Sequence, residues 1–289
     1  MATVKDFRNN VRPNWCPGCG DFSVQAAIQR ALAELGKEPE ECAVISGIGC
    51  SGRISGYINS YGFHTIHGRS LPVAQGVKLA NRDLTVIASG GDGDGFGIGL
   101  NHFMHAARRN MDITYITMDN QIYGLTKGQT SPTSAHGFKN PKSTPEGNIE
   151  NSLIPTQVAL AAGAGFVAQS FSSDIKQMTE IVKAAIAHKG FSLVNVYSPC
   201  VTYNKVNTYD WYKENLTNLD EVEGYDPTNR IQAITTITEK RGLVKGIIYR
   251  NEEIKAYEDL IPGYREQAIV HHDITLSAED FLKSMKEFA

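Results

Sequence analysis

Short apolar runs alternate with amphipathic stretches through residues 1–200, and this alternation limits the fold more than any other feature. Residues 42–45, 84–88, 113–118 and 192–197 are runs of only four to six residues, rich in Val, Ile and Tyr. They are too short for helices and read as buried strands. Between them, apolar residues recur at helical spacing over 22–35, 71–79, 98–107, 156–162 and 175–188, with Pro72 tolerable in a first turn. Strands alternating with helices predict an α/β fold, a mostly parallel sheet with helices on both faces.

Such a sheet binds ligands outside the carboxyl ends of its strands. Cys50, Asp92, Asn120 and Cys200 each follow a predicted strand, so all four are expected along one edge. Asp92 lies within Gly91-Asp92-Gly93-Asp94-Gly95. Glycines let backbone N–H groups approach phosphate oxygens, and a helix starting near Gly97 would aim its N-terminus at the same anion. Mg²⁺ takes oxygen ligands and shares them with phosphates. Asp92 supplies a charged oxygen and Asn120 a neutral one. A Gly-Asp turn capping a helix is the plain alternative, and Asn120 at the next strand end weighs against it. An EF-hand loop fits poorly, because its other carboxylates and its terminal Glu are missing. Residues 120–154 form a Gly/Pro/Ser/Thr-rich stretch, long enough to be functional or disordered.

The five cysteines are Cys16, Cys19, Cys42, Cys50 and Cys200. An odd number in a chain without a signal-like N-terminus does not read as a disulfide framework. Trp15-Cys16-Pro17-Gly18-Cys19-Gly20 is compatible with zinc, a redox dithiol or an iron–sulfur cluster. Adding Cys50 and Cys200 gives the four thiolates a [4Fe–4S] cluster needs, although free cysteines are also often plain core residues. At 289 residues the chain can bury a substantial core. A formal net charge of −3 argues against nucleic acid as a partner. No stretch is long and apolar enough to cross a membrane. A cytoplasmic location is the expectation.

Gly91-Asp92-Gly93, followed after a helix and a strand by Asp119-Asn120, resembles the thiamine diphosphate motif, which usually ends in two asparagines. Asp119 departs from that pattern and Asn120 keeps it. The wider set is similar to the β subunit of 2-oxoacid:ferredoxin oxidoreductases. It comprises residues 15–20, 47–51, 67–69, 90–95, 123–129 and 198–200. The resemblance implies that Asp92, Asn120 and the backbone carbonyl of Ile122 bind Mg²⁺. It implies thiamine diphosphate contacts from Ile48, Gly49, Cys50, Ser51 and His67, from Gly91, Asp92 and Gly93, and from Asn120, Ile122, Gly124 and Leu125. It assigns Cys16, Cys19, Cys50 and Cys200 to one [4Fe–4S] cluster and leaves Cys42 for the core. His64 has no matching motif.

The implied reaction is oxidative decarboxylation of a 2-oxoacid with coenzyme A as acyl acceptor and ferredoxin as electron acceptor. A cation at Lys127 in Tyr123-Gly-Leu-Thr-Lys-Gly-Gln129 could pair with a substrate carboxylate. The resemblance associates a lysine in this loop with the distal carboxylate of 2-oxoglutarate and so favours it over pyruvate, a solvated surface lysine being the plain alternative. The family places the cofactor-activating glutamate on an α subunit, so an αβ heterodimer is expected and the chain alone should be inactive. Residues 1–200 are read as the cofactor-binding domain, and the more charged residues 201–289 as a C-terminal extension. A pyruvate or broad-range enzyme, a non-redox thiamine diphosphate decarboxylase and a non-catalytic zinc or iron–sulfur sensor are the competing readings.

Overall fold

A computed structural model describes residues 1–262, 264, 267–273 and 275–287. Its centre is an eight-stranded sheet. The strands are β1 (Cys42–Ser46), β2 (Tyr61–His64), β3 (Thr85–Gly91), β4 (Thr114–Asp119), β7 (Phe166–Phe171), β8 (Ser192–Tyr197), β9 (Thr217–Asn218) and β10 (Val244–Arg250). The short strands β5 (Ile122–Tyr123) and β6 (Gln129–Thr130) form a separate antiparallel hairpin. The order across the sheet is β2-β1-β3-β4-β8-β7-β10-β9. All contacts from β2 to β7 are parallel, and β10 closes that side antiparallel to β7.

Helices α1 (Asp21–Glu34), α2 (Ser70–Ala80), α3 (Leu100–Arg109), α4 (Pro155–Ala162), α5 (Ile175–Ala187), α6 (Tyr209–Asn215), α7 (Arg230–Glu239), α8 (Tyr257–Leu260) and α9 (Ala278–Lys286) complete the chain. Two apolar layers flank the sheet, because successive strand residues point to opposite faces. Ala43, Ile45, Val86 and Tyr115 join one layer with α2, α3, α4 and α7. Cys42, Val44, Ile87 and Ile116 join the other with α1, α5 and the N-terminal arm, whose Phe7 and Trp15 are buried. Cys42 is thus a core residue, fully buried, with its thiol pushed up to about 12 by burial.

Three features differ from the sequence reading. Strands β2, β7 and β10 have no clear apolar signature. All of β2 is exposed, β7 buries the polar Gln169 and Ser170, and β10 contains Gly246 at φ +126° and a bulge between Ile247 and Tyr249. Residues 201–289 do not simply wrap the domain, since β9 and β10 extend the same sheet and α7 packs in the same core. Finally, the helix expected from near Gly97 begins earlier. Helical turns start at Asp92, pass through a π-helical turn (Asp94–Ile98) and break at Gly97 before α3. The helix N-terminus therefore lies directly on the end of β3.

Candidate active site

The carboxyl ends of β1, β3 and β4 surround a cavity. The turn after β1 contributes Ile48, Gly49, Cys50 and Ser51, and the segment after β2 contributes His67. The end of β3 adds Gly91, Asp92, Gly93 and Asp94. The chain beyond β4 adds Asn120, Ile122, Tyr123, Gly124, Leu125 and Thr126. Every residue expected from sequence to contact the cofactor thus lines one space. Asp94, Tyr123 and Thr126 had not been singled out.

Asp94 holds two of these segments together. Its Oδ1 accepts from the backbone N–H groups of Ile48 (2.9 Å) and Gly68 (2.8 Å), and the His67 Nδ1 stands 3.1 Å away. The His67 contact is an ion-pair distance without hydrogen-bond alignment, so the two amides do the holding. Gly47 is required beside it: a Cβ there would lie 1.9 Å from Asp94 Oδ2. Gly49 sits at φ +108°, where an L side chain is strained.

Asp92 is buried. Its Oδ2 accepts hydrogen bonds from Ser131 Oγ (2.5 Å) and Thr133 Oγ1 (2.8 Å), and its Oδ1 accepts a long one from the Asn120 amide (3.4 Å). Burial pushes its carboxyl upward against the pull of these donors. Asp119, also buried, receives Gln121 N (3.1 Å) on Oδ1 and Asn195 Nδ2 (3.2 Å) on Oδ2, and Thr133 Oγ1, whose one proton goes to the nearer Asp92, stands 3.0 Å from its Oδ1. Burial and then the neighbouring Asp92 push it upward too. The polar chain continues from Asn195 to Gln169, which donates to the carbonyls of Gly242 and Val244. Ser131, Thr133, Asn195 and Gln169 carry no local sequence signal, because only the tertiary fold brings them to the strand ends.

The donor set suits Mg²⁺ and a diphosphate. Asp92 and Asn120 offer hard oxygen ligands. The glycines let neighbouring side chains close on the end of β3, since a Cβ on Gly93 would stand 2.3 Å from the Tyr123 ring and one on Gly91 3.0 Å from Ser51 Oγ. Lys127 lies outside the cavity wall, exposed at the tip of the β5–β6 hairpin, at φ +81°. A non-glycine residue in that region is strained. The turn is held by Lys127 N donating to Gly124 O (3.1 Å) and Gly128 N to Tyr123 O (2.8 Å).

Two cysteine sulfurs meet behind the same wall, with the Cys-x-x-Cys arm tied to the cavity turn beside them. A Cβ on Gly124 would be 3.8 Å from both Cys50 Sγ and Cys200 Sγ. Cys16 and Cys200 each act electrostatically on Cys50, and Cys50 and Cys200 on Cys19. Burial pushes Cys50 up to about 11 and Cys19 further up. Cys16 is exposed. Trp15 donates from Nε1 to Cys50 O (2.7 Å), tying the Cys-x-x-Cys arm to the cavity turn. Among the described residues, no three His, Cys, Asp or Glu side chains converge tightly enough to hold a single metal ion. A cluster is a different demand, because its irons occupy separate corners and its ligands approach from separate sides.

Residues 47–196 match the thiamine pyrophosphate enzyme C-terminal TPP-binding domain, and residues 200–266 match the C-terminal region of the pyruvate ferredoxin oxidoreductase β subunit. The β subunit of 2-oxoacid:ferredoxin oxidoreductase 2 from Aeropyrum pernix is 41% identical, over 96% of this chain and 94% of its own. The chain belongs to the 2-oxoacid:ferredoxin oxidoreductase β-subunit family. Such a β subunit works with an α subunit. The KorB subunit of 2-oxoglutarate synthase from Methanocaldococcus jannaschii is 43% identical, over 69% of this chain and 74% of its own. A solved 2-oxoglutarate:ferredoxin oxidoreductase from Magnetococcus marinus, with 2-oxoglutarate, coenzyme A and succinyl-CoA bound, superposes with a TM-score of 0.85. Its identity is 41%, over 90% of this chain and 88% of that one. The mostly parallel sheet is thus that of a thiamine diphosphate-binding domain. No helix among the described residues is long and apolar enough to cross a membrane.

Proposed function

We propose that this β subunit, with its α partner, oxidatively decarboxylates 2-oxoglutarate. Succinyl-CoA and CO₂ leave, and the two electrons pass singly to ferredoxin; the reverse carboxylation uses the same site. The observation that carries this reading is the shared wall. Cys50 lines the cavity beside Asp92, while its sulfur and that of Cys200 flank Gly124. Thiamine diphosphate, when bound, supplies the electron sink that lets a 2-oxoacid lose CO₂. Asp92, Asn120 and the Ile122 carbonyl would hold its Mg²⁺, and the Gly91 and Gly93 positions would admit its phosphates. Cys16, Cys19, Cys50 and Cys200 would hold a [4Fe–4S] cluster, which accepts electrons one at a time. Lys127 would pair with the distal carboxylate of 2-oxoglutarate. The KorB relatives and the similarity to the 2-oxoglutarate:ferredoxin oxidoreductase from Magnetococcus marinus support that substrate over pyruvate.

The test is anaerobic co-purification with the α subunit. Iron content, visible absorption and coenzyme A-dependent ferredoxin reduction are read for 2-oxoglutarate and pyruvate, with the chain alone giving no turnover. Lys127→Ala should raise KM for 2-oxoglutarate about 10–100-fold, the weight of a charge-assisted hydrogen bond, and leave pyruvate nearly unchanged. Equal effects on both substrates would remove Lys127 from specificity. A colourless but fully active preparation would overturn the redox reading.

A further inference from the structure

The hairpin that carries Ile122 and Lys127 is clasped to Asp92 from its far side. After β6 the chain turns at Ser131-Pro132-Thr133-Ser134, and all three hydroxyls are buried. Ser131 and Thr133 both donate to one oxygen of Asp92, Oδ2. Thr133 also touches Asp119 Oδ1, beside the strand end from which Asn120 emerges. Ser134 donates to the Gln121 carbonyl at 2.5 Å and accepts from the Ser131 amide at 2.9 Å. The entry and the exit of the hairpin are therefore joined by one hydroxyl, and its exit is anchored on the carboxylate by two others.

Two short donors on Oδ2 saturate that oxygen, because a carboxylate oxygen takes about two well-aligned donors. Oδ1 has only the long contact to the Asn120 amide. A cation approaching Asp92 would therefore meet Oδ1 alone, as a one-oxygen ligand of fixed direction.

We propose that Ser131 and Thr133 are positioning residues for the cation site: they direct Oδ1 of Asp92 to the metal and couple metal occupancy to the order of the β5–β6 hairpin. The coupling runs both ways, since whatever the bound metal adds to hairpin order the ordered hairpin returns as metal affinity. This rests on the Mg²⁺–thiamine diphosphate reading of the cavity.

The test uses the αβ enzyme with thiamine diphosphate and Mn²⁺ in place of Mg²⁺. Mn²⁺ affinity is read by electron paramagnetic resonance, and hydrogen exchange is followed at the amides of residues 122–130. Thr133→Val and Ser131→Ala should each weaken Mn²⁺ binding about 10–100-fold, the usual cost of losing an outer-shell partner. Both should abolish the Mn²⁺-dependent protection of the hairpin. Thr133→Ser keeps the hydroxyl and should bind Mn²⁺ within about threefold of wild type. If Thr133→Val does not assemble with the α subunit, Ser131→Ala and Thr133→Ser carry the comparison. Wild-type affinity and protection in Ser131→Ala, or weakening in Thr133→Ser as large as in Ser131→Ala, overturns the proposal. Asp92→Ala is the separate control. If it binds Mn²⁺ as wild type does, the cation site itself is misplaced and the clasp falls with it.

Discussion

Asp119 stands where the thiamine diphosphate motif usually has the first of two asparagines, and its surroundings account for the exchange. Its two nitrogen neighbours, Gln121 N and Asn195 Nδ2, both donate. Asn195 cannot turn its oxygen toward Asp119, because its NH₂ also donates to Gln169 Oε1, whose own amide is fixed by two carbonyls. An asparagine at 119 would set one NH₂ against another. Asp119→Asn should therefore cost about 1–3 kcal/mol, the price of a buried polar group left unmatched, read as a shift in the urea midpoint. No loss in this variant would show that the site repacks around the amide. Asp92, Asn120 and the cysteines were legible because each lies directly after an apolar run or in a tight local motif. Their supporting hydroxyls and amides were not, because their spacing in sequence follows no period and their partners come from other elements.

At the scale of elements, the strands that were legible are those buried on both faces with apolar side chains. Strand β7 escaped notice because Gln169 interrupts it, yet that residue is what joins β7 to the C-terminal part of the chain. Its Nε2 donates to Gly242 O and Val244 O at the start of β10, and its Oε1 receives Asn195 Nδ2. Gly242 needs φ +81° to make this approach. Gln169→Leu would strand these buried groups and should destabilise the chain by about 2–4 kcal/mol, summing over more than one unmet partner. Faster hydrogen exchange centred on β10 would locate the loss. A uniform change across the sheet would argue that Gln169 merely fills space. The early helix start at Asp92 was equally hidden: Gly-Asp-Gly-Asp-Gly reads as a turn, and only the packing of α3 forces it into helical and π-helical turns.

For the whole molecule, acid sensitivity follows from a buried ring. His188 ends α5 with neither ring nitrogen in a well-aligned hydrogen bond, and burial lowers its pKa despite Glu252 at 3.3 Å and the more distant Asp112. A group with a lowered folded pKa leaves more protons on the unfolded chain. Stability from this site is therefore present above the ordinary histidine value of 6.5 and is lost as pH falls through it toward the folded value. The buried carboxyls of Asp92 and Asp119, pushed upward, act in the opposite sense over the same range, so His188 is read by difference. Between pH 7 and pH 5 the urea midpoint of His188→Gln should fall less, or rise more, than that of the unsubstituted chain. An unchanged slope in the variant would assign the acid limb to other groups.

The wall that Cys50 and Gly124 make between the cavity and the thiols is only one residue thick. On the proposed function, electrons would cross this thin partition, and dioxygen entering the cavity would meet the same sulfurs. The occupants of the cavity would then also be its shield, and an enzyme kept at work would outlast one left idle in air.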